Sequence, residues 1–335
     1  MALLTLTTSH QLKEVATNLN IVDVTGDGKN NIVVSSISGS LRVYDFIGGK
    51  PALKEIASLS NITPISSFGI GDVTGNGIRD FVVGGLDNTL RVISLKGKKL
   101  EIKGNTPLGN LPTAVVVANL MDDAKAEVIV ATNDKALRCY GWFGTFLDKL
   151  AHKVVDKPVF SMMPLFIDGT PYARFVFGDD SETLFVYQYA DDRLHQIGDA
   201  KVNGEVNLVA TGRVTNGRVD EVATISNGRH VSLFGVASKP IETLARIRAP
   251  GNVTSMKVGE ILKESRSPGQ VIVSMANTKL SILALEGREF FEEASLKTGG
   301  KGAEPLVAFG DINGDGNIEI VQAVGNMLHF VTGDT

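Results

Sequence analysis

The sequence predicts an all-β fold in which seven copies of one four-stranded unit close into a ring. Three observations support this prediction: a repeated loop pattern, short strand-like runs between the loops, and a last repeat that lacks one strand. The composition agrees, because the 335 residues include 36 glycines, about 11% against roughly 7% in an average protein. Such an excess is expected of a chain with many tight turns.

The repeated pattern is a glycine-rich loop that follows a short apolar run. It is clearest in the loops that begin at Asp23, Asp72 and Asp311, and weaker copies begin at Asn119 and Arg213. With two nearly erased copies, the loops begin near residues 23, 72, 119, 167, 213, 260 and 311. A spacing of about 48 residues, repeated seven times, predicts one repeat domain over residues 1–335 instead of the two domains that length alone suggests.

Each repeat contains four runs of strand character. In the second repeat these are residues 65–70, 81–85, 90–95 and 99–103. Residues 41–46 and 90–95 alternate in hydrophobicity with the period of two that a strand requires. A four-stranded unit of this length is typical of a β-propeller blade, so the predicted fold is a seven-bladed β-propeller with antiparallel blades.

The chain ends indicate how the ring closes. After the seventh loop only two strands remain, at residues 318–324 and 327–331. The repeat register places residues 3–8 where the fourth strand of the last blade is needed. We therefore expect the N-terminal strand to complete that blade, which leaves no free sheet edge at the seam.

The glycine-rich loops also carry a pattern of oxygen ligands. In the seventh loop Asp311, Asn313, Asp315 and Glu319 lie at positions 1, 3, 5 and 9, and Asn317 offers a carbonyl at position 7. Hard cations such as Ca²⁺ prefer six to eight oxygen ligands of this kind. The equivalent residues are Asp23, Thr25, Asp27, Lys29 and Asn31 in the first loop, and Asp72, Thr74, Asn76, Ile78 and Asp80 in the second. The sequence thus predicts one to three structural Ca²⁺ sites.

The alternative is that these loops are only turns, because Asp-Gly and Asn-Gly are strong turn formers in any case. The third loop keeps Asn119, Asp123 and Glu127 but has Met121 at position 3. The fifth loop begins with Arg213, which would repel a cation. We expect the fourth, fifth and sixth loops to be free of metal, and the third loop to be a weak candidate.

These residues resemble the FG-GAP repeat family, also called VCBS, known from the propellers of integrin α subunits. Phe68-Gly69 and Phe309-Gly310 match the first element of the family pattern, and the loops at Asp72 and Asp311 follow directly. Val83-Gly84-Gly85 departs from the family's later Gly-Ala-Pro element. The resemblance implies a seven-bladed propeller with Ca²⁺ in loops on one face, and it implies no particular activity.

Residues that could support catalysis or sugar binding favour structural roles. Cys139 takes the place of a valine in the repeat, which predicts a buried small hydrophobe. Trp142 and Phe143 favour packing over sugar stacking, and Asp179, Asp180 and Glu182 favour turn chemistry over partner binding. The five histidines lie in different blades without metal-ligand spacing: His10, His152, His195, His230 and His329.

The composition disfavours some classes of binding partner and some cellular locations. The 33 basic and 37 acidic residues nearly balance, which disfavours nucleic acid, and no apolar run is long enough for a membrane span or signal peptide. With a single cysteine, these features predict a cytoplasmic protein, and the alternative is an extracellular protein whose signal peptide has been removed. We expect a non-enzymatic scaffold that binds protein partners. The alternatives are a calcium-dependent carbohydrate-binding lectin and, less favoured, a polysaccharide lyase or hydrolase.

Overall fold

The computed structural model describes residues 3–50, 52–121, 123–300 and 303–334, and every regular element in these ranges is a β-strand. The strands form seven four-stranded antiparallel sheets, which confirms the predicted propeller. Among the described residues there is no helix long and apolar enough to cross a membrane.

The first four blades follow one another along the chain. Blade 1 consists of β2 (Ala16–Val22), β3 (Asn31–Ser36), β4 (Leu41–Phe46) and β5 (Leu53–Leu59). Blade 2 consists of β6 (Ile65–Gly71), β7 (Asp80–Gly85), β8 (Thr89–Lys96) and β9 (Lys99–Pro107). Blade 3 consists of β10 (Pro112–Ala118), β11 (Glu127–Thr132), β12 (Ala136–Trp142) and β13 (Leu147–Val154). Blade 4 consists of β14 (Ser161–Leu165), β15 (Arg174–Gly178), β16 (Thr183–Ala190) and β17 (Arg193–Lys201).

The remaining blades include the seam of the ring. Blade 5 consists of β18 (Val206–Gly212), β19 (Glu221–Ser226), β20 (His230–Gly235) and β21 (Glu242–Arg248). Blade 6 consists of β22 (Val253–Gly259), β23 (Gln270–Met275), β24 (Lys279–Glu286) and β25 (Glu289–Lys297). Blade 7 consists of β26 (Leu306–Gly310), β27 (Glu319–Val324), β28 (Met327–Asp334) and β1 (Leu3–Gln11).

The N-terminal strand closes the ring as predicted. β1 pairs antiparallel with β28 over its whole length, from Leu3 opposite Asp334 to Gln11 opposite Met327. The Ser9 hydroxyl and Nδ1 of His329 lie 2.9 Å apart across this pair. Blade 7 is therefore built from both ends of the described chain, and β28 has a strand on each side.

The four strands of each blade are arranged in order from the centre of the ring to its rim. The first strands of neighbouring blades contact one another, as β6 does with β10 and β18 with β22, and the fourth strands meet at the rim. The second strand is buried throughout in six of the blades. Cys139 lies in such an interior, opposite Ile129, as expected of a residue in a valine's place, and burial raises the pKa of its thiol.

Hydroxyl groups join the inner strands of adjacent blades, a feature that the sequence pattern did not predict. Ser66, Thr113 and Thr254 each lie at a bulge near the start of an inner strand. Their hydroxyls donate hydrogen bonds of 2.7, 2.5 and 2.6 Å to carbonyls at the start of the next blade. Because a bulge turns one residue out of the strand ladder, it frees these side chains to reach the neighbouring blade.

Candidate functional site

One face of the ring carries the loops between the first and second strands of each blade, together with the turns between the third and fourth strands. We call it the loop face. All of the predicted metal ligands lie on it, because each glycine-rich loop links an innermost strand to the next strand outward. The opposite face carries the turns between second and third strands and the connections between blades.

The seventh loop curls tightly around the carboxylate of Asp311. Its two oxygens accept hydrogen bonds from the backbone N–H groups of Gly314 at 2.6 Å and Gly316 at 2.9 Å, and both glycines have positive φ angles. Asp315 accepts the N–H of Asn317 at 2.7 Å, which lowers its pKa. Burial raises the pKa of Glu319, and the nearby charges of Asp315 and Asp311 raise it further. Negative charge therefore converges in this loop.

The first loop repeats this geometry around Asp23. The Asp23 oxygens accept the N–H groups of Gly26 and Gly28, both at 2.8 Å, and Asp27 accepts the N–H of Lys29 at 3.0 Å. Burial acts to raise the pKa of Asp23, but the backbone donors outweigh it and the net shift is downward. The carboxylate is thus held ionised by the loop that surrounds it.

The second loop contains a polar atom without a partner. Asp72 accepts the N–H groups of Gly75 at 2.8 Å and Gly77 at 2.7 Å, as in the other two loops. The hydroxyl of Thr74, at position 3, is buried and makes no hydrogen bond within the described residues. A buried hydroxyl normally makes a hydrogen bond. Because this one makes none within the described residues, its oxygen is available to a bound ligand.

The first residue of the second strand, which is position 9 in five of the loops, has a structural role that the sequence analysis missed. The side chain that begins the second strand is buried in six blades, and its oxygen accepts a backbone N–H at position 2 or 3 of its own loop. Glu319 accepts from Ile312 at 3.0 Å, and the neutral Gln270 in blade 6 accepts from Ile261 at 2.8 Å. The other four residues are Asn31, Asp80, Glu127 and Glu221. An oxygen at this position closes the loop whether or not a metal is bound.

The donor set of the three predicted loops fits Ca²⁺. Carboxylate, amide, hydroxyl and backbone oxygens lie within nine residues, and the orphaned hydroxyl of Thr74 is one of them. No group of three or more His, Cys, Asp and Glu side chains is placed to hold a metal in the described parts of the chain. A cation in these loops would consequently depend on amide, hydroxyl and carbonyl ligands as well as on carboxylates.

Neighbouring loops are also linked to one another. The Asn30 side chain donates to the carbonyl of Asp311, and the Arg79 guanidinium donates to the carbonyl of Asp23, both at 3.0 Å. The N–H of Ala126 reaches the carbonyl of Asp72 at 2.7 Å. Each contact joins one loop to the first residue of the preceding loop. Hydrogen bonds therefore connect the seventh, first, second and third loops in turn.

The fifth loop contains its own cation, as the sequence led us to expect. The Arg213 guanidinium donates to the carbonyls of Gly217 and Arg218 at 2.5 and 2.9 Å. It also pairs with Asp220 of the same loop and with Asp168 of the fourth loop. The side chain at position 1 thereby occupies and satisfies the loop from within.

The third and fourth blades carry five exposed large apolar side chains in their loops on this face, and Ile47 in the β4–β5 turn of blade 1 is also exposed. Met121, Phe143, Phe146, Phe166 and Tyr172 are between 37% and 54% exposed. We call these five residues the aromatic patch. The rings of Phe143 and Phe146 stack with their centroids 6.3 Å apart at the β12–β13 turn. The N–H of Ala173, next to Tyr172, donates to the Asn119 carbonyl at 2.7 Å, which joins the two loops that carry Met121 and Tyr172.

The aromatic patch corrects one expectation and extends the sequence reading. Trp142 is buried as predicted, but Phe143 is exposed, because the chain turns between β12 and β13 and carries it beyond the core. Phe146, Phe166 and Tyr172 were not recognised from the sequence. Their signal is an apolar residue in a loop whose counterparts in other blades carry Asp, Asn or Gly.

The three acidic residues on the opposite face, Asp179, Asp180 and Glu182, lie in different environments. Asp179 is buried and accepts the N–H of Ser181 at 2.9 Å, so it serves the turn. Asp180 lies 3.5 Å from the Lys157 ammonium. Glu182 occupies the turn position with positive φ. This arrangement agrees with the turn roles expected from the sequence, and Asp179 is not presented to solvent.

Comparisons with known proteins bear on the fold. No protein-family model matches the chain, and no curated protein matches its sequence. Among solved structures it is similar to BBS1N in complex with ARL6DN soaked with mercury, with a TM-score of 0.67, 11% identity and coverage of 99% of this chain and 97% of that chain. For the lead-soaked crystal of the same complex the TM-score is 0.68 and the identity 11%, with coverage of 98% of this chain and 96% of that chain. The chain is thus a seven-bladed β-propeller, and at this identity the likeness shows the fold alone.

Proposed function

We propose that this protein is a non-enzymatic scaffold that binds a protein partner through the aromatic patch. The observation that carries the proposal is the exposure of five large apolar side chains on two adjacent blades of the loop face. Apolar surface of this kind costs free energy in water, and aromatic residues are enriched where proteins bind one another. A partner that covers the patch would remove this cost.

The fold and the comparisons support the proposal without identifying the partner. One of the similar solved structures is that of BBS1N in complex with ARL6DN. The ring of seven sheets gives the patch a rigid support, so little conformational entropy is lost when a partner binds. A cytoplasmic location is part of this proposal.

Co-purification tests the scaffold role. The tagged protein, expressed at its natural level, is expected to bring down at least one partner in a fixed molar ratio that survives gel filtration. A chain that elutes alone under all conditions would contradict the proposal. Binding of the purified chain to a glycan array, with no protein partner, would favour the lectin alternative instead, since aromatic faces also stack on sugars.

We also propose that Ca²⁺ braces the first, second and seventh loops, in keeping with the resemblance to FG-GAP repeats. The carboxylates of Asp23, Asp72 and Asp311 are preorganised by backbone donors, and the Thr74 hydroxyl lacks a partner among the described residues. In the seventh loop Asp311, Asn313, Asp315, Glu319 and the Asn317 carbonyl would hold the ion. Its charge would offset the repulsion among the carboxylates and stiffen the loop.

Thermal melts with Ca²⁺ and with a chelator test the calcium proposal. A ligand that binds only the folded state at 100 times its dissociation constant stabilises it by about 2.7 kcal/mol, so Ca²⁺ should raise the melting temperature. Replacing Asp311 and Asp315 by alanine should remove part of this Ca²⁺-dependent rise, whereas Asp123→Ala in the third loop should leave it intact. Equal melting temperatures with and without Ca²⁺ in the unsubstituted chain would contradict the proposal.

A further inference from the structure

The wall of the central channel is almost free of charge. It is formed by the innermost strands β2, β6, β10, β14, β18, β22 and β26, which contain no Asp, Glu, Arg or His. The one charged residue in these seven strands is Lys257, in the middle of β22. A single ammonium group in such a wall calls for a physical reason, because an unpaired charge away from bulk water is costly.

Lys257 lines two adjoining cavities in the channel. The larger measures about 360 Å³ and the smaller about 140 Å³, and both are bordered by Asn20, Ile21 and Met163 as well as by Lys257. The larger is lined by residues from six of the seven inner strands, and the smaller adds Thr211 of the seventh. Lys257 is half-buried, and its side chain borders the space at the centre of the ring.

Two polar side chains around this space are donors without partners, whereas the others, Thr17, Asn18, Ser255 and Thr211, make hydrogen bonds within the protein. Within the described ranges, neither the Lys257 ammonium nor the side-chain amide of Asn20 makes a hydrogen bond or ion pair. No acidic side chain lines either cavity. Burial lowers the pKa of Lys257, and no acidic side chain in the lining opposes this shift. The missing component is an anion.

The remaining residues of the lining indicate what the uncharged part of that anion would be. Leu19, Ile70, Val115, Met162 and Leu306 contribute apolar surface to the larger cavity. Pockets that bind small molecules combine such apolar walls with a few placed polar groups, and a volume of about 300 Å³ is the lower end of their range. One cation limits the ligand to a single negative charge, and the apolar wall favours a hydrocarbon body.

We propose that the central channel binds a small amphiphilic monoanion, with its carboxylate on Lys257 and Asn20 and its hydrocarbon part against the apolar wall. This site is separate from the aromatic patch and from the glycine-rich loops. It gives the propeller a small-molecule ligand in addition to its proposed protein partner. Removal of the lysine charge should abolish recognition of the carboxylate and leave the fold intact.

Three probes of equal length test the proposal by isothermal titration calorimetry. Hexanoate should bind at least about tenfold more tightly than the neutral hexanamide, and hexylammonium should not bind. Lys257→Met, which keeps the length of the side chain and removes the charge, should lose the preference for hexanoate. Lys98→Met, in the exposed β8–β9 turn, serves as the matched control and should retain it.

The outcomes that overturn the proposal are equally definite. They are equal affinity for hexanoate and hexanamide, equal hexanoate affinity in the Lys257→Met variant, or no saturable binding up to about 10 mM. The comparison of hexanoate with hexanamide on the unsubstituted protein decides the matter even if the variant fails to fold. Because binding of these small molecules in the channel does not involve the aromatic patch, a negative result here leaves the scaffold proposal standing.

Discussion

The residue that begins the second strand in six of the seven blades shows how one side chain can serve loop closure. Glu127 in blade 3 and Gln270 in blade 6 are both buried and both accept backbone N–H groups of the preceding loop, Glu127 from Leu120 at 2.7 Å. The hydrogen bond needs only an oxygen, since the neutral amide of Gln270 makes it as well as a carboxylate does. The charge on Glu127 is therefore not required for the bond.

Burial gives Glu127 an unusual titration. Desolvation raises its pKa to about 7, and the charge of Asp123 adds to the shift. A carboxyl group whose pKa is higher in the folded state than its ordinary 4.5 stabilises the fold below pH 4.5, and this contribution is lost as the pH rises through 7. At pH 8 the folded protein thus holds an ionised carboxylate in an unfavourable environment.

Glu127→Gln should consequently stabilise the protein at alkaline pH. We expect the free energy of unfolding at pH 8 to increase by up to about 3 kcal/mol and to change little near pH 4.5. Urea denaturation at several pH values measures the difference. Glu289→Gln, at an exposed position in blade 6, is the control and should leave the free energy of unfolding unchanged at every pH. A variant that is less stable than the parent at pH 8 would contradict the assigned role.

At the scale of the element, the N-terminal strand carries the closure of the ring. Leu4 is only 4% exposed and belongs to the same core cluster as Ile261, Leu262 and Val331, whereas Leu6 on the same strand is 41% exposed. A buried leucine in the closing strand holds blade 7 together and packs it against blade 6. The two leucines are chemically identical and differ in burial.

This difference predicts unequal effects of truncation. Leu4→Ala should reduce the free energy of unfolding by about 2 kcal/mol or more, through lost burial and the cavity left behind. Leu6→Ala, the matched control, should cost less than about 1 kcal/mol. Chemical denaturation compares the two, and limited proteolysis should release β1 first in the Leu4 variant. Equal losses in both variants would mean that β1 does not lock the ring as described.

The elements were the most predictable part of the structure. The period of two within strands and the repeat of the loops are local signals, so the blades and the closing strand followed from the sequence. The hydroxyl contacts of Ser66, Thr113 and Thr254 did not, because they depend on bulges that sequence alternation does not reveal. The exposure of Phe143 was missed for a similar reason, since the position of a turn by one or two residues decides it.

At the scale of the whole molecule, the loop face divides into two regions. Blades 7, 1 and 2 carry the carboxylate loops that begin at Asp311, Asp23 and Asp72, and blades 3 and 4 carry the aromatic patch. The two regions meet where Ala126 donates to the carbonyl of Asp72. Hydrogen bonds from loop to loop therefore connect the two regions.

The site was less predictable than the fold because it depends on which blades become neighbours on one face. Met121 reads in the sequence as a defect in a calcium loop, and only the assembled ring shows that its loop is joined to the loop of Tyr172 by the hydrogen bond from Ala173 to Asn119. Lys257 reads as an ordinary lysine in a strand until the seven inner strands are placed around one channel. Both surfaces are products of long-range arrangement.

The central claim is that the aromatic patch is the surface that binds a protein partner. The direct test measures the affinity of the co-purified partner for the Phe143→Ser/Phe146→Ser variant by surface plasmon resonance. Ile37→Ser/Leu86→Ser, which removes two exposed apolar side chains from the opposite face, is the control. We predict that the patch variant binds at least about 30-fold more weakly, as expected when a central aromatic contact is lost, and that the control binds normally. Normal binding by the patch variant, or equal loss in both, would contradict the claim.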